Sequence, residues 1–204
     1  MLKRILKSVS IIAVLSAVAL PAAASAFGRW TIPYTLFAHL FATVPGLPGD
    51  YLRIAYYKLT LSECALSSRI SFGSFFAHPE ARLGPNVYIG SYCIIGKTEI
   101  GARTQIASGV QIVSGSHQHA RREEGRITGS HEGVFISVSI GADCWIGAAA
   151  VVMSDVGAGS TIGAGSVVSR PIPPNSVAVG SPARVIRAAG PIVTGIAPTA
   201  TDGA

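Results

Sequence analysis

From Leu83 onward, aliphatic residues, most of them followed directly by glycine, recur at a spacing of six. One block runs Leu83-Gly84, Ile89-Gly90, Ile95-Gly96, Ile100-Gly101, Ile106 and Ile112. A second runs Ile140-Gly141, Ile146-Gly147, Val152, Val156-Gly157, Ile162-Gly163 and Val168. A short fixed period marks a solenoid, and a six-residue period marks a parallel β-helix. Each hexapeptide supplies one short strand and one turn, so three complete a coil of roughly 18 residues. The aliphatic side chain points into the prism and stacks on its equivalent in the next coil. The glycine after it lets the backbone turn where a Cβ would crowd. Two slips, five residues from Ile95 to Ile100 and four from Val152 to Val156, read as turns trimmed at a corner. A sandwich strand would alternate with period two instead.

Ahead of the repeats the pattern is apolar without that period. Lys3, Arg4 and Lys7 precede an uncharged run from Ser8 to Gly28 that ends in Ala24-Ser25-Ala26. Residues 1–28 therefore read as a signal-like or membrane-anchoring segment. Residues 29–66 read as an amphipathic helical arm, broken by Pro45-Gly46-Leu47-Pro48-Gly49. Its second half places Tyr51, Arg53, Tyr56, Tyr57 and Lys58 on one helix. Such a helix suits a membrane interface or a cap on the first coil, because a solenoid end must be shielded. The repeat domain spans 67–187. Residues 188–204 are rich in Ala, Gly, Pro and Thr without periodicity, and read as a disordered tail.

Charge sharpens the division. The net charge is +6, and residues 1–60 carry six Lys/Arg against Asp50 alone, while residues 61–204 carry ten against nine acids. The basicity belongs to the arm. A nucleic-acid groove would need clustered basic residues interleaved with aromatics on the repeat domain, so no nucleic-acid partner is expected. An anionic membrane surface fits better. Cys64, Cys93 and Cys144 lack metal-ligand or disulfide spacing and read as buried thiols.

The hexapeptide pattern stops between Ile112 and Ile140. The intervening loop, 113–139, holds His117, His119 and His131 and the charges Arg121, Arg122, Glu123, Glu124 and Arg126. A rigid stack with one long polar excursion is a scaffold presenting a site. Attack of a hydroxyl on a thioester needs a base that exchanges protons near neutral pH, an oxyanion donor and a hold on the thioester carrier.

Several motifs carry a family resemblance: Ser114-Gly115-Ser116-His117, Ile140-Gly141-Ala142-Asp143-Cys144-Trp145-Ile146-Gly147, Ile162-Gly163-Ala164-Gly165-Ser166, Pro171-Ile172-Pro173-Pro174-Asn175 and Gly180-Ser181-Pro182-Ala183-Arg184-Val185-Ile186-Arg187. Over residues 83–187 the chain resembles the hexapeptide-repeat O-acetyltransferases of the galactoside, maltose, nodulation-factor and colanic-acid type. The arm around Val44–Gly49 resembles that of bacterial polysaccharide-associated acetyltransferases. The resemblance implies an all-β fold, a left-handed parallel β-helix behind the helical arm. It also implies an acetyl-CoA-dependent O-acetyltransferase acting on a sugar, polysaccharide or glycolipid precursor, and a homotrimer that holds the donor between subunits. His117 takes the place of the family's general base, with His119 as the alternative. Ala148, Ala164, Ser169, Arg184 and Arg187 take the places of the donor contacts. Arg184 and Arg187 would share a face if their segment is a short helix. Trp145 either lines the active site or fills a corner. No acceptor residue carries over, because the arm replaces the region that supplies them.

Two other readings use the same scaffold. One is a zinc enzyme of the γ-carbonic-anhydrase kind, with His78, His117 and His119 as conceivable ligands. The other is a β-helix that only binds. The His-x-His spacing and the Pro-Ala-Arg-Val-Ile-Arg ending argue against zinc, and no metal is expected. A thioester donor made in the cytosol points to the cytoplasmic face of the inner membrane, with export or anchoring through residues 1–28 as the alternative.

Overall fold

The computed structural model describes residues 2–115, 127 and 135–188. Three helices come first: α1 (Leu2–Ala24), α2 (Thr31–Ala42) and α3 (Gly46–Thr60). A parallel β-solenoid follows. Its first coil is β1 (Glu63–Cys64), β2 (Arg69–Ile70) and β3 (Phe75–Phe76), so the solenoid begins within the stretch that the sequence assigns to the arm. The second is β4 (Arg82–Leu83), β5 (Tyr88–Ile89) and β6 (Ile94–Ile95), and the third β7 (Thr98–Ile100), β8 (Gln105–Ile106) and β9 (Gln111–Ile112). The fourth is β10 (Val138–Ile140), β11 (Trp145–Ile146) and β12 (Val151–Val152). The fifth keeps β13 (Thr161–Ile162) and β14 (Val167–Val168), with its remaining side reduced to a bridge at Val156. A partial coil ends in β15 (Ser176–Val179), and β16 (Arg184–Ala188) folds back antiparallel to it.

The strands form three flat sides. On side A the inward residues are Cys64, Leu83, Ile100, Ile140, Val156 and Ile172. On side B they are Ile70, Ile89, Ile106, Ile146, Ile162 and Ala178. On side C they are Phe76, Ile95, Ile112, Val152 and Val168. All are buried, in three continuous columns. Each full burial of such a side chain contributes about 1.5–3 kcal/mol, so the columns are the main source of stability. Two residues before many of these positions a small hydroxyl is buried. Ser68 Oγ, for instance, donates to Gly84 O at 2.7 Å and accepts from Val87 N at 2.9 Å, tying one coil to the next.

The glycines after the aliphatics serve close approach rather than the turn itself. A Cβ on Gly90 would lie 2.6 Å from Ser108 N, and one on Gly141 would lie 2.4 Å from Ala158 N, in each case backbone of the next coil. The left-handed backbone of the turns falls elsewhere, at Asn86, Tyr92, Arg103 and Asp143 among others. Sequence reading located the crowding correctly and misassigned the turn conformation.

The helices close the first coil. Val18 and Ala22 of α1 join the core with Tyr34, Ala38 and Phe41 of α2 and Ile54, Tyr56 and Tyr57 of α3. The Arg53 guanidinium is wholly buried, with Nε donating to Ile70 O at 2.9 Å and Nη1 to Phe41 O and Val44 O at 2.8 Å. Its Nη2 pairs with Asp50 at 2.6 Å, and Arg69 reaches the other oxygen of the same carboxylate at 2.7 Å. Tyr34 Oη donates to Phe76 O, and Tyr57 Oη accepts from Phe76 N, each at 3.0 Å. Arg53, Tyr56 and Tyr57 are thus cap residues. The aromatic-and-basic helix that the sequence offers to a membrane surface is turned inward. No helix among the described residues is long and apolar enough to cross a membrane. The tail from residue 189 lies outside the described residues.

Candidate functional site

Between sides A and B, and between B and C, successive inward residues are always six apart. Between C and A the interval varies: seven from Phe76 to Leu83, five from Ile95 to Ile100, twenty-eight from Ile112 to Ile140, then four from Val152 to Val156 and from Val168 to Ile172. Both slips seen in the sequence, and the long loop, fall on this one edge. Its successive corners carry His78, Lys97, the loop, Asp155 and Ser169-Arg170.

The neck of the loop is held firmly. Ser114 is buried, and its Oγ accepts from Lys97 N at 2.7 Å. Ile136 N donates to Ser114 O at 3.1 Å, joining the outgoing and returning chain. Val138 N donates to Lys97 O at 3.1 Å, and Asp155 Oδ1 accepts from Ser139 N at 2.7 Å. Gly115 has φ +87°, a conformation that favours glycine, and a Cβ there would stand a tight 3.2 Å from Ile136 Cβ. His117, His119 and the rest of the loop up to residue 134, Ile127 apart, lie outside the described residues. The described structure locates the loop's root, not its side chains.

Below the root on the same edge is a cavity of about 550 Å³. Phe27, Arg29, Thr31, Ser62, His78 and Glu80 line it, so hydroxyls, a carboxylate, a guanidinium and an aromatic ring share one space. The α1–α2 turn forms a wall with Ala26, Phe27 and Gly28 all at positive φ, and a Cβ on Gly28 would lie 2.4 Å from Thr60 O. The His78 ring packs on Phe135, where the described chain resumes after the loop, with centroids 4.8 Å apart. Burial pulls the His78 imidazole below its ordinary range; Glu80 opposes the drop and Lys97 adds to it. His78 entered the sequence reading only as a conceivable zinc ligand. Its place on the variable edge becomes visible once the coils are counted.

The expected donor contacts do not form one pocket within a single chain. Ala148 and Ala164 stack at the corner between sides B and C, where Gly165 N donates to Ala148 O at 2.8 Å. A Cβ built on Gly165 meets nothing within 4 Å, so this backbone is open to a ligand. Ser169 stands at the opposite edge of side C, past β14. Arg184 and Arg187 lie on β16, a strand rather than a helix. A register shift between Val177 and Ala178 lets Arg184 pair with Val179 and Arg187 with Val177. Val177 and Val179 project to the same face, so the bulge brings both arginines to that face, away from the core. Trp145 is exposed on the outer face of side B, between Gln105 and Thr161, and fills no corner of its own chain. Among the described residues no cluster of three His, Cys, Asp or Glu could hold a metal ion. The three cysteines are buried and free, and burial pushes the Cys64 thiol up to about 12.

A three-sided parallel solenoid, capped by helices and interrupted by one pinned loop, is a scaffold that presents chemistry at an edge. Comparison with known proteins shows what the chain resembles. The galactoside O-acetyltransferase of Escherichia coli is 52% identical over 52 residues, 24% of this chain and 26% of that protein. A Staphylococcus aureus protein described as an acetyltransferase is 50% identical over a stretch of the same length, again 26% of its own chain. The match thus spans about a quarter of each curated relative. Among solved structures, a maltose O-acetyltransferase from Clostridium difficile superposes with a TM-score of 0.66 at 25% identity, covering 82% of this chain and 90% of that one. A Vibrio cholerae hexapeptide-repeat acetyltransferase, solved with acetyl-CoA, has the same fold, with a TM-score of 0.56 at 22% identity over 80% of this chain and 87% of that one. No family model matches the chain. Repeat, fold and these local matches make the chain similar to the hexapeptide-repeat acetyltransferases.

Proposed function

We propose that this protein transfers an acetyl group from acetyl-CoA to a hydroxyl of a sugar or glycan precursor. The observation that carries the reading is the variable edge. The one loop leaves the prism there, with the polar cavity below it and the expected donor contacts on the coils above. The C. difficile maltose O-acetyltransferase and the E. coli galactoside O-acetyltransferase support a sugar hydroxyl as acceptor.

The residues present suit the donor. Ala148, Ala164 and the open Gly165 corner leave room for a narrow pantetheine chain against backbone. Arg184 and Arg187, on one face, suit phosphates. Bound there, the thioester supplies an acyl carbon open to attack. His117 accepts the acceptor's hydroxyl proton as the oxygen attacks that carbon. The C–S bond breaks, and the leaving sulfur is protonated as coenzyme A departs. His119 is the alternative base. Trp145, exposed on side B, borders the groove.

Ala148 and Ala164 lie at one edge of side C and Ser169 at the other. A ligand touching both sets needs two walls, one from each of two subunits. This supports a homotrimer with a site in each groove, since cyclic closure of three prisms uses one heterologous contact three times. The source of the donor supports a location at the cytoplasmic face of the membrane.

Incubation of purified protein with acetyl-CoA and a panel of sugars tests the reading. Free thiol should appear in step with O-acetyl sugar. A trimeric mass is expected in light scattering. A folded protein that consumes no thioester with any acceptor would refute the activity, and an active monomer would refute the shared site.

A further inference from the structure

We infer that the outer face of α2 and the turn before it form a docking surface for an anionic lipid bilayer, which the protein meets without crossing. The inference rests on the reading of a membrane-facing enzyme and names the surface that reading lacks.

The helix divides cleanly. Tyr34, Ala38, Phe41 and Ala42 are buried against the cap. Ile32, Leu36 and Leu40 follow one another at four-residue steps on the other face, with 85%, 63% and 54% of their surface exposed. Residues at that spacing form a single row along a helix. At its start Trp30 is 64% exposed, and Phe27 in the preceding turn is 59% exposed. Phe27 is held outward at φ +54°, a conformation unusual for a bulky residue. Soluble surfaces carry scattered apolar side chains, but a row of aliphatics ending in aromatics marks an interaction site. Aromatic residues at the rim of an apolar helix face are suited to the level of lipid headgroups.

Charge selects the occupant. Asp50 is the one acid in residues 1–60, and its carboxylate is buried between Arg53 and Arg69. Residues 1–60 carry five further Lys/Arg, Lys3, Arg4, Lys7, Arg29 and Lys58, and no further acid. A second copy of this chain would set like charges against each other at such a face. A bilayer bearing anionic headgroups is complementary to both the apolar row and the cations, and each basic residue near such a surface adds to the attraction. The buried positions of Arg53, Tyr56 and Tyr57 remove those three side chains from this role.

The test is co-sedimentation of the full chain with vesicles of phosphatidylcholine alone, and of phosphatidylcholine mixed with phosphatidylglycerol. The protein should bind the mixed vesicles far more strongly, and high salt should weaken that binding. The triple variant Ile32→Ser, Leu36→Ser, Leu40→Ser should lose at least about tenfold in binding, since three apolar side chains no longer enter the interface. Its circular dichroism should be unchanged, because the row makes no core contact. Leu47→Ser, an exposed site off the row, should bind as wild type does and controls for general loss of hydrophobicity. Equal binding by the triple variant would overturn the inference. So would wild type that ignores both vesicles while the triple variant alone changes mass in light scattering, which would assign the row to a second copy. Thioester consumption with a soluble sugar, measured on the same samples, separates failure of this surface from failure of the transferase reading.

Discussion

At the corners between sides A and B and between B and C the inward residues keep an unbroken six-residue interval. At the corner between C and A the interval ranges from four to twenty-eight. The regular corners press backbone on backbone: Gly90, Gly141 and Gly147 each leave less than 3 Å for an added Cβ. The variable corner carries His78, Lys97, the loop neck and Asp155, and the cavity opens beside it. Coils stack only where every coil is the same length, so insertions are tolerated at one edge if the others keep register. The long loop and the polar cavity fall where the repeat can be broken without unstacking the columns.

The sharpest way to break the comparison is to load a regular corner. Gly141→Val sets a branched side chain where even a Cβ lies 2.4 Å from the backbone of the next coil. Neither side can give, so destabilisation should exceed about 4 kcal/mol. No cooperative thermal transition should survive in circular dichroism. A variant that melts as wild type does would mean the corners are softer than their geometry.

The next effect belongs to the variable edge. His117→Ala should lower acetyl transfer about 10²–10⁴-fold, the range for removing a general base, with the melting temperature unchanged. If His119→Ala carries the loss instead, the base is reassigned while the edge keeps its role.

A smaller effect is expected from β16. Replacing Arg184 and Arg187 together by alanine should raise the KM for acetyl-CoA at least about tenfold, equivalent to about 1.4 kcal/mol of lost binding. The kcat should change less than the KM. An unchanged KM would remove the bulged strand from the donor site.

His78 gives a pH signature. Burial lowers its folded-state pKa below the ordinary histidine value of 6.5. The folded protein then binds fewer protons than the unfolded chain as pH falls past that value. Stability is full above it and declines below it, until the folded-state imidazole is itself protonated. His78→Gln should flatten this part of the profile of melting temperature against pH. An identical profile would assign the acid sensitivity elsewhere. The least effect should come from the Arg103–Asp143 pair, bidentate at 2.6 Å but fully exposed on a turn. Solvent screens the attraction, so Arg103→Ala should leave the melting temperature nearly unmoved.

Much of the solenoid was legible in the primary structure because its rule is local. An aliphatic residue followed by glycine every six positions states where a side chain is buried and where no Cβ fits. The loop was legible as the place where that rule stops. The destination of Arg53, Tyr56 and Tyr57 was not legible. An aromatic-and-basic helix reads the same whether it lies on a bilayer or plugs the end of a prism, and Arg53 chose the latter by reaching carbonyls on β2, in the last turn of α2 and just past it. The pairing of Arg184 with Arg187 was foreseen on one face for the wrong reason. A three-residue spacing fits a helix, whereas the shared face comes from a bulge against β15, a partner that local spacing cannot indicate.

The sequence by itself determined the period, the inward columns, the excursion and the basic arm, because each depends on neighbours within a few residues. Tertiary structure decided which corner absorbs every irregularity, which arm helix faces inward, and that His78 meets both the loop's return at Phe135 and a polar cavity. Those outcomes depend on contacts between residues far apart in the chain. Burial and register across coils set them, and neither is written in any single hexapeptide.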